Sequence, residues 1–176
     1  MGMDRKLKHQ VWVIAGAECS GKTTLFENLR NAFPFYSFVP EYNRSWLEER
    51  NKTAPFSHSD LNHLFDDCLA YYENLDMTRP TIMDSDMLNL FLWASHIHHP
   101  KANDLYMAWS QTHFNYLLCS PEIPYVSDPL RSGTDIRKWS WDKHLEYMKT
   151  RHHFVLKSND ALSKLIEAKE IILSAE

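Results

Sequence analysis

Cysteine is sparse: Cys19, Cys68 and Cys119 are the three in 176 residues, they stand far apart, and no C-x-x-C pair is present. That excludes a disulfide-stapled framework and the paired ligands of a zinc ribbon, and points to a reducing, cytoplasmic setting. Basic residues are not in excess either. The 19 Lys and Arg against 23 Asp and Glu leave a net charge of −4, without the positive footprint needed to grip a long nucleic-acid duplex. Nucleic acid is therefore not an expected partner. No apolar run approaches the ~18 residues of a membrane span. The first ten residues, MGMDRKLKHQ, have no apolar signal core and carry Lys6 where a myristoylation signal has Ser or Thr. A membrane partner is not expected. Internal repeats and low-complexity segments are missing as well. Glycine is scarce, four in all, yet Gly16 and Gly21 fall in one short stretch.

What is there is a chain with 44% hydrophobic and 24% charged residues, enough for one globular domain with a sizeable core, taken as 10–176 after a short extension at 1–9. Residues 16–24, GAECSGKTT, fit G-x-x-x-x-G-K-[ST], the pattern of a loop whose backbone N–H groups cradle phosphates. The context is right: 10–15 (QVWVIA) reads as a buried strand and 24–32 (TLFENLRNA) as a helix. Gly16 and Gly21 let the backbone close on phosphate oxygens, and the helix N-terminus adds its positive dipole end. Lys22 is expected to face solvent and reach the β- and γ-phosphates, and Thr23 to offer its hydroxyl to Mg²⁺. Glu18, Cys19, Ser20 and Thr24 complete the loop around the nucleotide. Glu18, an acid beside a phosphate site, should point outward. Cys19 is either a small filler or a thiol whose pKa the helix end and the lysine depress.

Further strands are expected at 36–39, 80–83, 114–119 and 153–156, and helices at 42–50, 60–76, 87–96, 104–111, 139–150 and 160–174. Strands alternating with helices make a parallel sheet covered on both faces, and ligands of such sheets bind beyond the carboxyl ends of the strands. The strand tips therefore select the candidates. Asp84 and Asp86 lie two apart, so an extended segment turns both carboxylates to one side, where one could hold Mg²⁺; Asp86 is also a good N-cap for the next helix. Glu41 is a base or substrate anchor, or else an acid stabilising its own helix. Arg44 serves the same side or pairs with Glu48 at i,i+4. Arg131 and Arg137, in a loop expected over 120–138, can fold guanidinium forks onto phosphate oxygens or remain solvated. Tyr42, Trp46 and Trp93 offer stacking faces or core. Asn159, in the KSND run at 157–160, lies in a candidate adenine-side loop. The HIHHP run ending at Pro100 is a metal cluster or a solvated helix end.

Taken in order, GAECSGKTT, EYNRSWL at 41–47, IMDSDMLNLF at 82–91 and YVSDPLRSG at 125–133 resemble the ribosylnicotinamide kinase domain of bacterial NAD-biosynthesis regulators and related stand-alone P-loop ATPases. The resemblance runs from Val11 to about Leu173. It implies a P-loop NTPase three-layer sandwich: a five-stranded, mostly parallel sheet with helices on both faces. It also implies ATP and Mg²⁺ as cofactors, with Lys22 and Thr23 on phosphate and metal, Asp84 and Asp86 toward Mg²⁺ and the acceptor hydroxyl, and Arg131 in a lid. Glu41, Tyr42 and Arg44 would then lie at the nucleoside side, with Trp46 a candidate stacking surface for the acceptor base. The expected activity is transfer of the γ-phosphoryl group to the 5′-hydroxyl of nicotinamide riboside or a related small nucleoside. A 5′-hydroxyl nucleic-acid kinase and a non-catalytic nucleotide sensor are the alternatives. Oligomeric state is not legible from these residues.

Overall fold

The structure, a computed structural model, describes residues 11–51, 55–122 and 134–175. Five strands form one sheet: β1 (Val11–Ala15), β2 (Ser37–Val39), β3 (Thr81–Asp84), β4 (Asn115–Cys119) and β5 (His153–Leu156). Their order across the sheet is β2-β3-β1-β4-β5, and every pairing is parallel. The expected sheet is thus present, wholly rather than mostly parallel among the described residues. Among the described residues seven helices accompany it: α1 (Lys22–Ala32), α2 (Tyr42–Glu49), α3 (His58–Glu73), α4 (Met87–His96), α5 (Ala102–Ser110), α6 (Thr134–Met148) and α7 (Ala161–Ser174).

Strand alternation sorts the core into two layers. Val11, Val13 and Ala15 of β1 pack with residues of α2 to α6, whereas Trp12 and Ile14 face the opposite side with Leu25, Phe26 and Leu29 of α1 and Ala168 and Ile172 of α7. Successive side chains of a strand point to opposite faces, and burial on both sides is what makes the run VWVIA apolar throughout. β1 sits in the middle. Its Ile14 stands beside Asp84 of β3 on one side and Leu117 of β4 on the other, so the three strand tips that carry polar groups end together.

Four helices start two or more residues before the pattern-based expectation: α1, α3, α5 and α6. α3 begins at His58 because Ser57 caps it: its hydroxyl accepts from the Asp60 N–H at 3.1 Å, and the Asp60 carboxylate accepts from the Ser57 N–H at 3.2 Å. This reciprocal capping box turns what reads as a break into a start. α6 begins at Thr134 rather than Trp139. No Pro or Gly interrupts 134–148, and the earlier start lifts Arg137 out of the expected loop and into the first turns of a helix. All three cysteines are free thiols, and no helix among the described residues is long and apolar enough to cross a membrane.

Candidate functional site

The loop after β1 is shaped by two positive φ values at glycine. Gly16 has φ 133°, and a Cβ there would lie 2.5 Å from the carbonyl oxygen of Cys119, so only glycine lets the loop pass over the end of β4. Gly21, at φ 83°, is the left-handed residue from which α1 starts. Cys19 also takes positive φ, 52°. Cations hold the loop from several elements: Lys22 Nζ donates to the carbonyls of Gly16 (3.0 Å) and Ala17 (2.8 Å), Arg137 Nη2 to that of Cys19 (3.1 Å), and Lys164 Nζ to that of Ser20 (3.0 Å). In a trans peptide the next N–H points opposite to each carbonyl. Tying four carbonyls to cations therefore turns the following amides the other way, which is the polarity an anion cradle needs.

Two expectations about this loop are corrected. Lys22 is buried, with 6% of its surface exposed, because its ammonium folds back onto carbonyls of its own loop instead of standing in solvent. Glu18 is half-buried and lines the cavity rather than pointing outward, since the loop's curvature carries it over the cavity floor. Ser20 is buried and Thr24 exposed on α1.

Thr23 Oγ1 donates to Asp84 Oδ2 at 2.8 Å, so the two residues expected at a metal converge from α1 and from the tip of β3. Hydroxyl and carboxylate oxygens are hard donors that suit Mg²⁺, which keeps several waters and needs few protein ligands. Asp86 does not join them. Ser85 takes φ 67° and its N–H donates to Ile14 O at 3.0 Å, breaking the extended run that would have put Asp84 and Asp86 on one side. Asp86 instead caps α4: Oδ1 accepts from the Leu88 N–H (3.0 Å) and Oδ2 from the Tyr116 hydroxyl (2.8 Å), which itself accepts from Trp109 Nε1 (2.9 Å). Burial pushes its carboxyl up to about 6. It does not line the cavity, and the capping role is the one its geometry carries.

From the loop a cavity open to solvent extends between α2, α4 and α6. Gly16, Glu18 and Lys22 form its floor; Glu41, Asn43, Arg44 and Leu47 one wall; Asn89, Leu90, Leu92 and Trp93 a second; and Ile136, Trp139 and Ser140 a third. Glu41 stands at the N-cap position of α2 without a side-chain capping bond. Its carboxylate meets Asn43 Nδ2 (3.4 Å) and the Arg44 guanidinium (3.7 Å), while Arg44 also reaches Glu48 at 3.6 Å. The i,i+4 pairing expected for Arg44 is therefore present, and the residue also lines the cavity.

Other candidates lie elsewhere. Trp46 is core: 3% exposed, its Nε1 donates to Asp67 Oδ2 at 2.7 Å, and the Arg50 guanidinium covers its ring at 4.3 Å. A ring enclosed in this way offers no face to an acceptor. Tyr42 stacks on Tyr71 at 4.2 Å, outside the cavity lining, and burial raises its pKa. Asn159 is exposed in the loop after β5 and takes no part in the cavity; backbone N–H groups of the neighbouring Lys157 and Ser158 are held by Glu167. Arg131 lies outside the described residues. In the HIHHP run, His96 packs on Trp139 and His99 on Phe65 and His58; among the described residues no group of three or more His, Cys, Asp or Glu could hold a metal. Trp139, Ser140 and Ile136 were not singled out from the sequence. Their i, i+3, i+4 spacing would have marked a common face had the helix been started at Thr134.

A parallel sheet in this order, with a phosphate-type loop after its central strand, defines a P-loop domain. The chain belongs to the AAA domain family, whose model matches residues 11–159. No curated protein sequence matches it. Among solved structures it is similar to NadR protein in complex with NR, with TM-score 0.72 and 15% identity over 96% of this chain and 51% of that one. The chain thus spans about half the length of that NadR chain. It is also similar to thymidylate kinase from Ehrlichia chaffeensis (TM-score 0.64, 11% identity, 93% of this chain and 98% of that one). Deoxyadenosine kinase from M. mycoides is a third such structure (TM-score 0.62, 13% identity, 94% and 100%).

Proposed function

We propose that this protein is a cytoplasmic ATP- and Mg²⁺-dependent kinase that phosphorylates the 5′-hydroxyl of nicotinamide riboside or a related small nucleoside. The observation that carries the reading is a single cavity with Gly16, Glu18 and Lys22 of the loop on its floor and Glu41 and Arg44 on its wall. Phosphoryl transfer needs donor and acceptor brought in line with charge stabilised between them, and little covalent chemistry.

The roles follow from position. Lys22, now on carbonyls of its own loop, exchanges them for the β- and γ-phosphates, and the loop amides take the remaining oxygens. Thr23 and Asp84 would hold Mg²⁺, which when bound neutralises charge on the transferred group. Arg137, already on the loop through Cys19, is a second cation toward the phosphates, and Arg131 is proposed beside it. Glu41 accepts the proton of the acceptor hydroxyl, with Asn43 and Arg44 fixing its carboxylate. Trp93 and Trp139 give the cavity two aromatic side chains. Together with Glu18 and Glu41 they suit a flat cationic ring such as that of a pyridinium riboside. The similarity to a NadR chain in complex with NR supports the same choice.

An ADP-release assay with a nucleoside panel tests the reading. Turnover of nicotinamide riboside or a close relative is the expected result. Turnover of 5′-hydroxyl oligonucleotides alone, or tight nucleotide binding with no turnover of any acceptor, overturns it.

A further inference from the structure

Behind the cavity wall runs a polar chain that the roles above do not use. The Asn89 amide lines the cavity on α4; one end lies 2.8 Å from Ser85 Oγ and the other 2.7 Å from Nε2 of His144 on α6. His144 is 1% exposed, and its Nδ1 lies 2.7 Å from the Ser140 carbonyl oxygen. A carbonyl can only accept, so Nδ1 carries a proton. Burial, with Lys22 nearby, lowers the ring's pKa to about 4, so at neutral pH it carries no second proton and Nε2 is a bare lone pair.

That fixes the amide. With Oδ1 toward Nε2 and Nδ2 toward Ser85 Oγ, two lone pairs would face each other across the shorter contact. A half-turn of the amide, whose ends are told apart only by their partners, removes the conflict. The NH₂ group then donates to Nε2, and Oδ1 accepts from the Ser85 hydroxyl. By inventory, one N–H and one lone pair of Asn89 remain, and the side chain is half-buried at the cavity surface. A hydroxyl group, both donor and acceptor, matches that remainder; a charged group does not.

On the kinase reading above, we propose that Asn89 reads a hydroxyl on the sugar of the acceptor and that His144 is the positioning residue that sets its amide. Ser85 holds the other end, and Ser85 directly follows the metal-side Asp84. The same chain therefore ties the acceptor's sugar to the tip of β3 and to the helix that carries Arg137.

The test compares kcat/KM for ribosides with that for their 2′-deoxy and 3′-deoxy analogues in the parent, Asn89→Ala, His144→Leu, His144→Asn and His144→Gln. The parent should favour the riboside over one of the analogues by about 10- to 100-fold, because the missing hydroxyl leaves a desolvated amide group unpaired. That analogue identifies the hydroxyl. Asn89→Ala should lower riboside kcat/KM by about the same factor, mainly through KM, and collapse the preference. His144→Leu and His144→Asn, which leave no acceptor where Nε2 stood, should behave alike. His144→Gln, which can place an amide oxygen there, should retain the preference. In an Asn89→Ala background the His144 substitutions should have no further effect on the preference, an outcome that a merely structural role would not produce. Folding is checked by thermal melting, and His144→Asn and His144→Gln carry the comparison if His144→Leu does not fold. An unchanged preference in folded Asn89→Ala, or a parent that turns over both sugars equally, overturns the hydroxyl assignment alone. A His144 effect undiminished in the Asn89→Ala background overturns the positioning role. A parent that phosphorylates no nucleoside overturns the kinase reading and this assignment with it.

Discussion

Asp84 and Asp86 have the same side chain and lie two residues apart, yet a single dihedral separates their fates. Ser85 at φ 67° sends Asp84 to Thr23 and Asp86 to the cap of α4. Asp84→Asn should therefore lose Mg²⁺-dependent turnover while still binding nucleotide, because a neutral amide cannot match a carboxylate's attraction for the metal and its waters. The measurement is a Mg²⁺ titration of activity, and an activation curve equal to the parent's would make Asp84 structural. Lys22 is the second case. Its ammonium serves two buried carbonyl contacts as well as the expected phosphates. Lys22→Ala should thus fold with stability lowered by roughly 1–3 kcal/mol and turnover lowered by about 10²-fold or more. Melting and steady-state kinetics on the same preparation check both halves; parental turnover would remove the loop from the chemistry.

At the scale of elements, apolar periodicity placed the strands and helix bodies, and side-chain hydrogen bonds decided their ends. The α3 start belongs to Ser57 and Asp60, a signature visible as S-x-x-D once a helix is sought there. Ser57→Ala should cost about 1 kcal/mol of stability with kcat unchanged, since neither Ser57 nor Asp60 lines the cavity. Chemical denaturation reads the first expectation and the nucleoside assay the second; no loss of stability would mean the cap is solvated away. The α6 start mattered more for the site. Moving it to Thr134 turned Arg137 from a loop cation into a helix-borne one bonded to Cys19 O and brought Trp139 and Ser140 onto the cavity wall.

Across the whole molecule, two buried titratable groups make opposite demands on pH. His144 has a folded pKa of about 4 against an ordinary 6.5, so the unfolded chain takes its proton first and stability is lost as pH falls from 6.5 toward 4. Asp86 has a folded value of about 6 against 3.8. The folded state takes that proton first, and stability is gained as pH falls from 6 toward 3.8. Each contribution is on the order of 3 kcal/mol, so they largely cancel in the parent. His144→Gln removes one side of the balance: its stability relative to the parent should rise by about that amount between pH 6.5 and 4. Equal pH slopes for variant and parent, read by denaturation across that range, would exclude a buried neutral ring at 144. The sequence by itself determined the parallel α/β class, because burial of both sheet faces demands continuous apolar strands, and it determined the phosphate loop, because the Gly, Lys and Thr spacing falls between an apolar strand and a helix. It also brought Glu41 and Asp84 forward, since strand tips are where such sheets bind. Only the tertiary structure decided that Trp46 is core, that Asp86 is a cap, and that Asn89, Trp139 and Ser140 share one cavity. Those outcomes depend on which helices meet across the sheet and on single dihedrals such as that of Ser85, and local pattern carries neither.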